Sequence, residues 1–146
     1  MDAIVTHYLH YLGFALLLAC VTMELVLFRP TMDAAAVRTI ARVDGLYGLS
    51  ALVVLATGLL KWFQYGKPAA YYGQNFIFHI KVTLFVVVFL LSLAPTVRFF
   101  KARRAAAGGT VSFPSTTRIL LRLQLAILLV IPLLAVMMSQ GYGYTG

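Results

Sequence analysis

The chain has very little negative charge. Its 146 residues include four aspartates and glutamates, against 12 lysines and arginines. Only 11% of residues are charged while 62% are hydrophobic, and mean hydropathy is +0.92. That leaves too little polar surface to cover a soluble domain of this size, and it indicates an integral membrane protein. A single cysteine, Cys20, excludes an intrachain disulfide or a thiolate cluster. There is no internal repeat and no linker long enough to mark a second domain. The net charge of +8 does not point to nucleic acid, because the basic residues fall in loops between apolar runs, as membrane orientation requires.

What is abundant is apolar length. Four runs stand out, at 8–28, 43–63, 76–100 and 119–138, each long enough to cross a hydrocarbon core of about 30 Å. The expected fold is all-α, an integral membrane four-helix bundle forming one domain over residues 1–146. Arg29-Pro30 ends the first run, since proline has no amide donor and restricts the residue before it. Gly66-Lys67-Pro68 ends the second, and the stretch 101–117, with Gly108-Gly109 and Pro114, separates the last two. Leu17-Leu18-Ala19-Cys20 has the look of a lipoprotein cleavage box. No basic residue precedes it and the apolar run continues past it, so an uncleaved helix is expected, with Cys20 as a small apolar filler.

Loop charge sets an orientation. Arg29, Arg38 and Arg42 surround the first loop, and Arg98, Lys101, Arg103, Arg104, Arg118 and Arg122 surround the third. With four spans these loops share a side, which the positive-inside rule makes cytoplasmic, leaving both termini outside. Trp62, Tyr65, Tyr71, Tyr72, Tyr142 and Tyr144 then form an aromatic belt at the outer interface.

This arrangement sorts the polar residues into two layers. The first helix contributes to both: His10 and Glu24, fourteen residues apart, lie on one face and about 21 Å apart in depth. Ionisable groups at such positions are costly and point to function. In the outer layer, His10 has Gly13 one turn away, leaving room for something flat and broad. Bundle cofactor sites are built from facing helices, and imidazole is a good haem ligand. Lys81 and His79 of the third helix compete as the second ligand. Two residues apart, they cannot both face inward, and Lys81 shares the stripe of Phe85, Val88, Ser92 and Pro95. Lys61 is expected to snorkel to the headgroups and His7 to lie at the interface.

The inner layer holds Glu24, Asp44, Arg42, Arg118, Arg122 and Gln124, with Tyr47 on the same face as Asp44. Buried charge requires partners, so a network of acids and arginines is expected. It is either a clamp between helix ends or a proton relay through Glu24.

These residues carry a resemblance. Leu9-His10, Glu24, Arg42-Val43-Asp44, the run from Tyr47 to Ala51, Thr57-Gly58-Leu59, Gly66-Lys67, Tyr71-Tyr72, Asn75, Lys81 and Pro95-Thr96 resemble a family of small uncharacterised bacterial four-helix inner-membrane proteins. More distantly, Leu9-His10 and His79-Ile80-Lys81 resemble the HemJ-type protoporphyrinogen oxidases, and the chain also resembles the membrane domain of copper-resistance D proteins. The HemJ-type resemblance implies haem b, with His10 and Lys81 in the positions associated with it. HemJ-type proteins also have an Asn-Glu pair followed by proline near the start of the fourth helix. Here the stretch 122–126 has no acid, which implies a haem fold without porphyrinogen oxidation. Met23, Met137 and Met138 are too scattered for a soft copper site.

The expectation is a multi-pass protein of the bacterial inner membrane, embedded in the lipid bilayer, with haem b as cofactor. Its cofactor residues would be His10, Lys81, His79 and Gly13, and a quinone or other redox partner would exchange electrons with it. An enzymatic form would be a haem-dependent membrane oxidoreductase, with no catalytic residue assignable. The rival readings are a proton- or ion-conducting module without haem and a structural subunit of a membrane complex. A homo-oligomer is compatible with all three.

Overall fold

Two of the four acids start helices. In the computed structural model, Asp2 caps α1 (Ala3–Leu27), accepting from the Val5 amide at 2.9 Å. Asp33 caps α2 (Ala34–Leu60) through the Ala36 amide at 2.8 Å. Each supplies an acceptor to an amide that the first helical turn leaves free. Strand β1 (Thr31–Asp33) lies between the two helices. A π-helical turn (Lys61–Tyr65) continues α2, and a short α3 (Ala69–Gly73) leads into α4 (Phe76–Ala105). Strand β2 (Thr110–Ser112) and α5 (Thr116–Ser139) complete the chain. The structure describes residues 2–65, 67–105 and 108–145. Gly66 of the expected second break and the side chain of Tyr65 lie outside the described residues.

The four long helices are each long and apolar enough to cross a membrane. Two begin well before their apolar runs: α1 at Ala3 and α2 at Ala34. Ala34-Ala35-Ala36 is strongly helix-forming, and Arg38 and Arg42 lower hydropathy without breaking a helix. The helices close a ring in which α1 packs on α2 and α5, and α4 packs on the same two. Leu17, Cys20 and Val21 meet Val37, Ile40, Val88, Phe99, Leu121 and Leu128 in the core, so Cys20 does fill apolar space. Large side chains such as Val26, Leu52, Leu90 and Leu133 are exposed around the outside, as helices apolar on all faces require of a membrane span.

Each end of the bundle is tied. At one, β1 and β2 pair antiparallel, Met32 opposite Val111, so both arginine-rich loops sit at that end. Phe113 packs edge to face against both Phe28 and Phe99 there. At the other end, buried Asn75 starts α4 by accepting from the Ile77 and Phe78 amides, while its own amide donates to the Tyr142 carbonyl. The aromatic residues expected as an interfacial belt divide there. Tyr142 and Tyr144 are exposed, but Tyr72 is buried against Phe78 and Met138, and Tyr71 donates to the Met138 carbonyl at 2.7 Å.

Candidate functional site

Near the Asn75 end, all four long helices line a cavity of about 420 Å³. Its walls are apolar apart from a few groups: His10 from α1, Lys61 from the π turn and Lys81 from α4, with Tyr11, Trp62 and Phe78 among the aromatics. Among the described residues no aspartate or glutamate lines it, so its fixed charge is cationic. Lys61 Nζ sits 4.9 Å from the centre of the Tyr11 ring, and Lys81 Nζ 5.8 Å from that of Phe78. Both lysines are half-buried. Lys61 therefore lines the cavity, where snorkelling alone was expected. Phe85 is also in the wall, and Val88, Ser92 and Pro95 continue the Lys81 stripe as buried residues.

The state of His10 follows from counting protons. Its Nδ1 lies 2.9 Å from Thr57 Oγ1. That hydroxyl has one proton, and it donates to the Val53 carbonyl at 2.6 Å, the common bond of a helical threonine to its own preceding turn. Thr57 can therefore only accept from His10, so Nδ1 carries the ring proton. Nε2 then holds a free lone pair. A metal-bound histidine is oriented in this way, its second nitrogen donating to a fixed acceptor. Gly58 completes the seat: a Cβ there would stand 3.4 Å from His10 Cε1.

Two expected cofactor residues lie elsewhere. Gly13 is buried in the α1–α2 seam, where a Cβ would come within 3.1 Å of Val54 and 3.2 Å of Val53. It lets two helices approach closely, as small residues do in membranes, and the space by His10 comes from Gly58. His79 is exposed, with Nε2 2.8 Å from the Gly73 carbonyl, so it does not compete with Lys81 for the cavity. His7 stays local, its Nδ1 2.6 Å from the Ala3 carbonyl. In the sequence Thr57 and Gly58 belong only to the family resemblance, and nothing in their spacing links them to His10.

The inner layer is also rearranged. Glu24 and Asp44 are 1% and 3% exposed, and their carboxyls lie side by side. Cys20, one turn before Glu24, and Tyr47, one turn after Asp44, are buried on the same helix faces as the pair, and Thr96 of α4 is near Asp44. The arginines expected to join them do not. Arg118 donates to the Phe28 carbonyl at 3.3 Å and stacks over the Phe28 ring, while Arg122 and Arg42 are exposed. Long basic side chains can turn out toward the headgroups, whereas a short carboxyl must stay at its own depth. Gln124 is buried and donates to the Leu91 carbonyl at 3.4 Å. Pro95 provides that acceptor, because it removes the amide that would otherwise bond Leu91.

A family model for a predicted membrane protein, DUF2214, matches residues 2–143. The chain belongs to the DUF2214 family. The match to DUF2214 spans all four membrane helices, the cavity and the buried acid pair. No curated protein and no solved structure matches the chain.

Proposed function

We propose that this protein binds haem b in the cavity and serves electron transfer or a haem-dependent oxidation. The observation that carries the reading is the His10–Thr57 bond, which leaves Nε2 as a free ligand in an apolar chamber. Three features make the residues fit the group. The cavity volume falls within the range of roughly 300–1,000 Å³ common for small-molecule sites. Its rim offers two cations, Lys61 and Lys81, to the two propionates of haem b. Lys81, on the helix facing His10, could instead serve as a second ligand to the iron. The resemblance to the HemJ-type pattern at Leu9-His10 and His79-Ile80-Lys81 points the same way.

Haem b, when bound, supplies a one-electron couple whose potential depends on its axial ligands and on the polarity around it. The chain's own residues do the rest. Thr57 orients His10, Trp62, Phe78 and Phe85 exclude water, and the lysines neutralise carboxylates. The same reading places the protein in the bacterial inner membrane with both termini outside, where a quinone or another redox partner could reach the cavity end.

Protein extracted in mild detergent is expected to be red, with a Soret band that shifts on reduction. His10→Ala should lose that band while keeping its helical circular dichroism. A colourless wild-type protein that takes up no added haem b overturns the proposal.

A further inference from the structure

Glu24 and Asp44 meet inside the bundle with no counter-charge beside them among the described residues. Asp2 and Asp33 are used as helix caps, so these two are the chain's remaining acids. Glu24 Oε1, Asp44 Oδ2 and the Tyr47 hydroxyl are buried without a hydrogen-bond partner, and all three residues are more than nine-tenths buried. Among the described residues, the titratable or hydroxyl groups beside the pair are Cys20 of α1 and Tyr47 of α2, each one turn along the same buried face, and Thr96 of α4. In the same half of α5, buried Gln124 is uncharged and Arg118 is held on Phe28.

Two carboxylates pressed together in a low-dielectric interior repel each other, and each would bear its own desolvation cost. Something positive has to lie between them, and among the described residues no basic side chain does. We propose that the Glu24–Asp44 pair, with Tyr47 and Thr96, is an intramembrane site for one small cation, a proton or a sodium ion. The donors available are carboxyl, phenol and hydroxyl oxygens, a hard set that excludes soft metals. The continuous helix beside them also lacks one backbone bond. Pro95 breaks the α4 ladder next to Thr96, leaving Leu91's carbonyl to a single long bond from Gln124.

The site is separate from the cavity. His10 and Glu24 are about 21 Å apart along α1, with buried Leu17 and Val21 between them, so the inference does not depend on haem. Infrared spectroscopy and thermal unfolding of the purified protein, with and without sodium, test it. A proton occupant gives a protonated-carboxyl stretch that moves in D₂O and is lost or displaced in Glu24→Gln and Asp44→Asn. A sodium occupant gives carboxylate bands that shift with NaCl, and a melting temperature that rises with NaCl but not with choline chloride. Either result supports the site. Tyr47→Phe removes only the free hydroxyl, so it serves if an amide variant fails to fold. It should displace the same carboxyl band or weaken the sodium response several-fold. Two ionised carboxylates whose bands and melting temperature ignore sodium, or a protonated band indifferent to all three substitutions, overturn it.

Discussion

Thr57 fixes the identity of one proton, and that can be measured. Thr57→Val keeps the shape of the side chain but removes the acceptor for His10 Nδ1–H. The imidazole then loses its preferred tautomer and its anchor. Haem affinity is expected to fall about tenfold, at the low end of what losing such an outer partner costs a metal site. Thr57→Ser, which keeps the hydroxyl, should restore most of it, with haem titration as the readout. The sequence makes His10 conspicuous because it interrupts an apolar run. Thr57, forty-seven residues on, is inconspicuous, because a threonine that bonds its own helix looks like any other. Depth was legible for Glu24 as well, since position along a helix follows from counting residues. The direction in which Arg118 and Arg122 turn was not, because long side chains choose among several environments at one depth.

Among the secondary-structure elements, the start of α4 is the most sensitive to a small change. Gly143 adopts φ +83° against Asn75, and a Cβ there would come within 2.6 Å of Asn75 Oδ1 and 2.7 Å of Ile77. Gly143→Ala combines an unfavourable backbone region with a clash at the helix cap, and should cost about 1–3 kcal/mol. Gly109→Ala, with open space around it, is the control and should change little. Thermal melts in detergent compare the two directly. The four spans were legible because hydropathy reports the lipid-facing surface. Their starts were less so, since α2 already begins at Ala34 and runs through Arg38 and Arg42. The π turn at Lys61–Tyr65, which helps bring Lys61 and Trp62 to the cavity, has no signature in composition.

For the molecule as a whole, the distribution of charge predicts its orientation. A phosphatase reporter that works only outside the cytoplasm should be active when fused after α5 and inactive in the loop after α4. Neutralising Arg103 and Arg104 together should raise activity at the second position by weakening the positive-inside bias. The β1–β2 pair bears on how the bundle assembles. The tight α1–α2 and α4–α5 contacts join neighbours in the chain, whereas Met32 and Val111 are nearly eighty residues apart. Contacts near in sequence close early, and distant ones wait for the intervening chain to be placed. Two helical hairpins would thus enter the bilayer as separate units, and the small strand pair would latch them together last.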